Sequence, residues 1–569
     1  MYVLGISCYA HESSAALLKD GEIRWLIEEE RLNRERHTWK FPKMAINYCL
    51  EKERIRFSDI SNVAFFWKPI DELTGNIHHL LKFFPQSLNL INAGSAAKEI
   101  RLLQRIFRKQ TIGFTLQKEF GLKFPPAVQF YEHHLCHAAS AFLVSPFQDS
   151  AILTIDGRGE STTTMMAVGH GKKIKKILEL HVPHSLGHLY AAITSYLGFK
   201  PFFDEWKVMG MSAYGKATYV SLFEDIVKLL PNGEFRLDLS YFSFHTHGQK
   251  HWISSKFIED FGPPRLADMP YEQRHFDIAY GLQKMIEKTG VHLANALYER
   301  TRLDSICLAG GVVLNCLMNK KIIEETPFKN FFFQPISNDA GTSMGAGLLA
   351  YHKTSKAATK QMFDSIYLGP EFSDSEIEKV LLKQGVKYQR SSDICKDTAA
   401  HIAQGKIVGW FQGRMEAGPR ALGCRSIAAD PTRLDMKDKI NSLVKKREFF
   451  RPFAPSILEE KVDQYFIMPK QQLSPYMILI GDVRPDKISV IPAVTHADHT
   501  ARVHTVNRSA NPIYWQLISE FEKITGVPVL LNTSFNEQEP IVCTPENAVN
   551  CFQRTAFDVL TIGNFIVQK

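Results

Sequence analysis

Two stretches of the chain repeat one pattern of apolar and polar positions. In the first, Val3-Leu4-Gly5-Ile6 is apolar, Ser7 to Ser14 is small, polar and turn-like, and Ala15 to Leu18 is apolar again. Lys19-Asp20-Gly21 then forms an Asp-Gly hairpin turn, and Ile23 to Ile27 reads as a third strand. In the second, Ala151 to Ile155 is a strand, Asp156-Gly157-Arg158-Gly159-Glu160 a turn, and Ser161 to Val168 a strand that leads through a turn at Gly171 into another. The match is of pattern, not identity. Such a repeat, with turns suited to phosphate in both copies, predicts two similar α/β halves facing a cleft.

The intervening stretch is helical in pattern. Over Lys98 to Lys123, Arg101, Arg105, Arg108 and Lys109 accompany Ile100, Leu103, Ile106 and Phe107. We read it as a solvated helix on an inserted subdomain, with a basic membrane-surface helix as the alternative. Further on, Ile278, Leu282, Met285, Ile286, Leu293 and Leu297 recur at helical spacing. Ser305 to Leu308 is a short strand running into Ala309-Gly310-Gly311 and a helix through Asn315 and Asn319. Phe331 to Phe333 is another strand; it ends at Ser337-Asn338-Asp339, before a small-residue helix from Gly341 to Leu349. Strand and helix alternate as in an α/β protein. Composition shifts at Tyr351 to Lys360, beyond which new strands appear at Lys406 to Phe411, Tyr476 to Ile480 and Val527 to Leu531. The expected organisation is a domain over 1–355, a linker over 356–370 and a second domain over 371–569.

Composition narrows the class. The chain has 569 residues, and its 45% hydrophobic and 22% charged content is that of globular protein. No uncharged apolar run approaches the ~18 residues of a membrane span, and no secretory leader is visible at the first residues. Nine scattered cysteines with no C-x-x-C read as reduced thiols, which fits a cytoplasmic location. A net charge of +8 suits phosphorylated ligands and is too small to argue for nucleic acid. Nothing in the sequence speaks against a homodimer.

The chemistry-bearing residues lie at these strand ends and loops. In His133-His134-Leu135-Cys136-His137, a helix would put His133 and His137 on one face, where both can ligate one metal. Asp156 and Asp339, each ending a strand, are the natural further ligands, because strand ends converge on the ligand crevice of α/β sheets. Such a set suits iron, manganese or zinc, and spacing alone equally fits a packed helix terminus. Gly310-Gly311 before a helix is a nucleotide-type turn, although many such turns only connect. His11 lies in the first turn, where an imidazole can deprotonate an alcohol or simply bond the turn. Lys207 to Gly215 reads as a substrate or phosphate loop. Near the C-terminus, Gly413 to Ser426, Lys445 to Pro455, Arg502 and Asn532 to Asn536 set cations among prolines, glycines and polar turns. Arginine forks and lysine held in loops favour a phosphate site over decoration.

Together these motifs resemble one family. L-G-I-S-x-x-x-H-E-S-S-A-A-L-L, E-E-E-R, H-H-L-C-H-A-A-S-A, I-D-G-R-G-E, A-G-G-V-V-L-N, S-N-D-A-G-T-S-M-G-A, G-P-R-A-L-G-C-R-S, F-R-P-F-A-P-S and L-N-T-S-F-N occur in family order over nearly the whole chain. They look like the O-carbamoyltransferases of nodulation-factor and antibiotic biosynthesis. The resemblance implies an actin/sugar-kinase-like duplicated α/β N-terminal domain followed by a YrdC-like α/β domain. It implies that the second domain forms carbamoyladenylate from ATP and carbamoyl phosphate, with Mg2+ accompanying ATP. The first domain would transfer the carbamoyl group to a hydroxyl of a small natural product or sugar at a metal site, iron in the family. Residue by residue, His133, His137, Asp156 and Asp339 match the metal ligands and His11 the candidate general base. Gly157, Gly310, Gly311 and Asn315 fall at the adenylate-binding turns. Lys445, Arg451, Arg502, Asn532 and Ser534, with Arg420 alongside, match contacts to carbamoyl phosphate and nucleotide. One departure is the apolar stretch before His11, where some relatives carry an acidic residue. A fused tRNA threonylcarbamoyl transferase and an ATP-driven chaperone-like binding protein are the rival readings.

Overall fold

The computed structural model describes residues 1–92, 104–355, 360, 362–363 and 365–569. The basic stretch expected over 98–123 and the linker expected over 356–370 therefore fall partly outside the described residues. The chain divides into two compact units, Met1–Glu29 with His37–Phe363, and Glu30–Arg36 with Asp364–Lys569. Residues 30–36, assigned to the first domain from the sequence, thus cluster with the second unit. Arg31 Nη2 donates to the Gly418 carbonyl at 2.9 Å, and Arg34 Nη1 to that of Ile541 at 2.7 Å. Leu32 packs on Met415, Ile541 and Cys543.

The first unit contains the repeated pattern as two five-stranded sheets. In the first, β1 (Tyr2–Ser7) pairs antiparallel with β2 (Ser14–Lys19), which pairs antiparallel with β3 (Glu22–Glu28). On its other edge β1 pairs parallel with β4 (Ile60–Phe65), and β4 with β5 (Val128–Phe130). In the second, β6 (Asp149–Ile155), β7 (Thr162–His170) and β8 (Lys173–His181) form the same antiparallel meander. A hairpin of β9 (Val227–Leu230) and β10 (Glu234–Leu237) stands apart. β11 (Ser305–Ala309) and β12 (Asn330–Phe333) then complete the second sheet in parallel. Strand order and direction are the same in both, which is the duplicated actin/sugar-kinase-like arrangement.

Seven helices position the site. They are α1 (Pro69–Lys82), α2 (His133–Phe142), α3 (Leu186–Tyr196), α4 (Glu205–Ser212), α5 (Gln273–Thr301), α6 (Cys316–Glu325) and α7 (Ala340–Thr354). The small residues of α7 have a packing reason. The helix lies against both α2 and β1, and a Cβ on Gly345 would stand 1.9 Å from the Cys136 carbonyl oxygen. Ser14 of β2 bonds the Ala340 carbonyl at 2.7 Å and Ser343 Oγ at 2.8 Å, fixing the start of α7 to the first sheet.

The second unit is built on one mixed ten-stranded sheet. Its strands are Gln389–Arg390, Val408–Phe411, Arg425–Ala429, Ala454–Leu458, Phe466–Ile467, Leu479–Val483, Thr500–Val506, Val529–Ser534, Val559–Ile562 and Phe565–Gln568. The strand expected at Tyr476 to Ile480 begins three residues later. All nine cysteines are buried and none forms a disulfide. Among the described residues no helix is long and apolar enough to cross a membrane.

Candidate metal centre and cationic cluster

The histidines begin α2, directly beyond β5. Helical spacing turns His133 and His137 to one side, with their Nε2 atoms 3.1 Å apart. His134 turns away and bonds Thr154 Oγ1 through Nδ1 at 2.7 Å, so one of the three imidazoles is a core group. Asp156, just past β6, brings Oδ2 to 2.9 Å from His133 Nε2 and 3.3 Å from His137 Nε2. Asp339, just before α7, brings Oδ1 to 3.5 and 3.7 Å from the same two atoms. All four ligand atoms lie within 4.8 Å of one another. Ligands about 2.0–2.2 Å from one ion stand about 3.0–3.5 Å apart, so the set fits a single divalent cation with little movement. Both imidazoles are fully buried. Burial would push the Asp156 carboxyl up, yet His133 and His137 hold it well below its usual range. Burial lowers His137, but Asp156 and Asp339 hold it up at about 9. Ligation of this histidine near neutrality therefore displaces a proton.

Neighbouring groups fix the ligands. Glu160, closing the turn after Asp156, accepts from the backbone N–H groups of Lys68 at 2.8 Å and His133 at 3.1 Å. It thereby satisfies an open donor in the first turn of α2. The second carboxylate oxygen of Asp156, Oδ1, accepts from Gly311 N–H at 3.2 Å, which ties the Gly310-Gly311 turn to the ligand set. Gly157 lies in the same turn as Asp156, and its carbonyl accepts from Ser185 Oγ, the N-cap of α3, at 2.6 Å. Three of the four residues expected at the adenylate turns are thus gathered beside Asp156. Asn315 has a different local task. Its Oδ1 caps α6 by accepting from Met318 N–H at 3.0 Å, and its amide exchanges bonds of 2.8 and 3.0 Å with Gln283. It precedes the helix that the sequence reading ran through it.

His11 follows β1. Its Nε2 is buried and has no hydrogen-bond partner, while Nδ1 lies 3.9 Å from Glu12 Oε1. The same Glu12 oxygen is 3.0 Å from His37 Nδ1, so one carboxylate stands between two imidazoles. Burial lowers His11, but Glu12, Asp339 and Glu205 outweigh it and set it at about 9. His11, Glu12 and His37 form a second group of metal-capable side chains. Glu12, His37 and Glu160 were not singled out as site residues from the sequence. Each is ordinary in type, and only its placement is informative. His188 on α3 was likewise missed; burial drives it down to about 3, and its ring packs on Phe202, Phe244 and Trp252.

The stretch expected as a phosphate loop, Lys207 to Gly215, is mostly helix instead. Val208 and Met211 of α4 are buried as α4 packs along α5. Gly215 is needed because a Cβ there would lie 2.2 Å from the Phe276 carbonyl oxygen. Lys207 pairs with Asp204 at 3.2 Å.

In the second unit, Lys445, Ser534 and Asn536 meet. Lys445 is buried and donates to the Ser534 carbonyl at 2.5 Å and to Asn536 O and Oδ1 at 2.7 Å. Burial, then Arg447 and Arg451, depress its charge affinity strongly. Arg447 is depressed in the same way by burial, Arg451 and Arg502. Lys445, Arg451 and Arg502 are therefore one repelling cluster, to which Arg447 belongs though it was not among the expected contacts. Glu448 offsets it in part, 3.4 Å from Arg451. Asn532, also buried, donates to the Ala421 carbonyl at 3.0 Å beside Arg420 and leaves its Oδ1 without a partner. Positive charge is thus concentrated around Lys445 and its contacts with Ser534 and Asn536. Arg425 is a structural exception. It is fully buried in its strand, and its guanidinium donates to the carbonyls of Gln412, Gly413 and Pro370.

The family description "Carbamoyltransferase N-terminus" matches residues 2–348, and "Carbamoyltransferase C-terminus" matches 399–569. An uncharacterized Synechocystis protein, sll1178, is 41% identical over 100% of this chain and 97% of its own length. Nodulation protein NolNO of Sinorhizobium fredii is 37% identical over 99% of this chain and 79% of its own. Nodulation protein NolO of Bradyrhizobium diazoefficiens is 39% identical over 77% and 78%. Among solved structures, component A of the Acidaminococcus fermentans (R)-2-hydroxyglutaryl-CoA dehydratase superposes with a TM-score of 0.34 at 15% identity. It covers 62% of this chain and 98% of that one.

Proposed function

The chain belongs to the carbamoyltransferase family, and from that premise we propose that it is an ATP-dependent O-carbamoyltransferase. The C-terminal unit would hydrolyse carbamoyl phosphate with one water to carbamate and phosphate, and the carbamate oxygen would attack the α-phosphorus of ATP, forming carbamoyladenylate and breaking the α–β bond to release pyrophosphate. The N-terminal unit would then pass the carbamoyl group from the adenylate to an acceptor hydroxyl, forming the O–C bond and releasing AMP. The acceptor is a small natural product or sugar. The observation that carries this reading is the convergence of His133, His137, Asp156 and Asp339 on one point beside the Gly157 and Gly310-Gly311 turns.

His133, His137, Asp156 and Asp339 would hold a divalent cation, with Fe2+ the expected ion. Bound there, it supplies Lewis-acid polarisation of the carbamoyl carbonyl or a template for the adenylate. The Gly157 and Gly310-Gly311 turns, at strand ends before helices, would receive the adenylate phosphate. His11 would take the acceptor proton at Nε2, the nitrogen without a protein partner, while Glu12 holds the other side of the ring. At about 9, His11 is protonated near neutrality until positive charge nearby offsets Glu12, Asp339 and Glu205. In the second unit, Lys445, Arg447, Arg451 and Arg502 would neutralise the phosphates and the departing pyrophosphate. Arg420, Asn532 and Ser534 would add further contacts to carbamoyl phosphate and nucleotide.

The test is product analysis. ATP should yield AMP and pyrophosphate only when carbamoyl phosphate is present, and candidate acceptors should gain one carbamoyl mass. ADP as the product would overturn the adenylate route. Dependence on tRNA, threonine and bicarbonate would favour the threonylcarbamoyl alternative.

A further inference from the structure

Outside the His133 and His137 set, metal-type side chains gather on two neighbouring turns. His11 and Glu12 follow β1, and His37 lies in the turn before Lys40. Two backbone hydrogen bonds of 2.8 Å zip these turns together, Tyr9 N–H to the Trp39 carbonyl and Ser13 N–H to that of Thr38. The backbone is left-handed at Glu12, φ 47°, and at His37, φ 50°. For a glutamate this conformation is strained, and it persists because the joined turns hold it. Phe203 stands T-shaped to both imidazoles, at 4.6 Å from His37 and 5.7 Å from His11, and fixes their tilt. Glu12 Oε1 lies 3.0 Å from His37 Nδ1 but 3.9 Å from His11 Nδ1, beyond hydrogen-bond reach. A direct ion pair thus serves one ring and falls short of the other.

We propose that His11 Nδ1, Glu12 and His37 Nδ1 form a second divalent-cation site, which takes zinc-class ions and keeps water at its remaining positions. One ligand atom from each residue already falls within 4.8 Å of the others. Ligands about 2.0–2.2 Å from one ion stand about 3.0–3.5 Å apart, so the two rings draw in by about 1 Å on binding. The His11 and His37 side chains are 34% and 19% exposed, which gives the ion a path from solvent that the buried imidazoles of His133 and His137 lack. Two imidazoles with one carboxylate suit Zn2+, whereas Mg2+ and Ca2+ take oxygen shells. An ion on Nδ1 leaves the ring proton of His11 on Nε2, the nitrogen assigned to receive the acceptor proton. The loaded site is therefore inhibitory. That consequence rests on the proposed role of His11 as base; the binding itself does not.

Zinc binding to the full chain, measured by competition with a chromophoric chelator, tests the site without reference to activity. One ion should persist in the double variant His133→Ala, His137→Ala. Adding Glu12→Gln or His37→Asn to that variant should weaken this ion at least roughly tenfold. Either exchange suffices should the other fail to fold. No zinc left in the double variant overturns the proposal, as does zinc binding indifferent to both exchanges, which would place the ion on other histidines. The His133 and His137 site is read separately, as the ion lost between wild type and the double variant. In the wild type, excess Zn2+ should slow carbamoyl transfer to the acceptor and spare pyrophosphate release. A zinc ion held by Glu12 and His37 without that inhibition would uphold the site and overturn the base role of His11 instead.

Discussion

The pair of glycines after β11 separates backbone stability from ligand placement, and a matched pair of substitutions exposes the difference. Gly310 has φ +97° and ψ 153°, a region open essentially only to glycine. A Cβ there would lie 2.3 Å from the Ile155 carbonyl oxygen and must retreat by about 0.7 Å to reach the shortest separation real Cβ atoms show. Strain of about 1–3 kcal/mol and a backbone clash of about 1–3 kcal/mol give a cost of roughly 2–6 kcal/mol for Gly310→Ala. Gly311 has no such φ, and its Cβ would meet one side-chain atom, Asp156 Oδ1, at 3.0 Å. Gly311→Ala should therefore cost under about 1 kcal/mol in stability. It should nonetheless push the Asp156 carboxylate off its 3.2 Å bond to Gly311 N–H and weaken divalent-metal affinity about 10–100-fold. Denaturant unfolding of the metal-free protein reads the first quantity, and calorimetric titration with Mn2+ or Zn2+ reads the second. Equal stability losses in the two variants, or wild-type metal affinity in Gly311→Ala, would refute the reasoning.

Three further outcomes follow from other contacts. Asn315→Ala should lose about 2–4 kcal/mol, because the α6 cap goes and Gln283 is left buried and unpaired; intact unfolding with selective loss of nucleotide affinity would contradict a mainly structural role. Lys445→Met should abolish carbamoyl-phosphate-dependent pyrophosphate release while metal content stays at the wild-type level, and equal loss of both would contradict separate tasks for the two units. His504, bonded to Ser456 Oγ at 2.8 Å, is held down at about 3 by burial, below the ordinary 6.5. Its contribution to stability is whole above pH 6.5 and is lost as pH falls toward 3, at about 1.4 kcal/mol per unit. His504→Asn should flatten the fall in denaturant midpoint between pH 7 and 5, and an unchanged slope would count against it.

Much of the first unit was legible because its signals are local. The apolar runs over Val3 to Ile27 and Ala151 to Val168 are short and almost continuously buried, and the Asp-Gly and Gly171 turns mark their ends. His133 and His137 are one helical turn apart, so their shared face follows from helix geometry. Where the reading failed, the deciding contact was distant. Lys207 to Gly215 looks like a glycine-flanked loop until α5 is seen to need the close approach at Gly215. Arg425 looks like its loop neighbours until its strand buries it. Residues 30–36 give no local sign that they belong with residues 364–569.

The sequence by itself determined the elements, the repeat, the helical histidine pair and the family motifs, because these depend on periodicities and spacings within a few turns of chain. Only the tertiary structure decided which of these groups meet. It set Glu160 under His133, Glu12 between His11 and His37, and Arg447 beside Lys445, and it turned His134 into the core. Such placements join residues tens of positions apart, and no local pattern encodes a contact whose partner lies on another strand or helix.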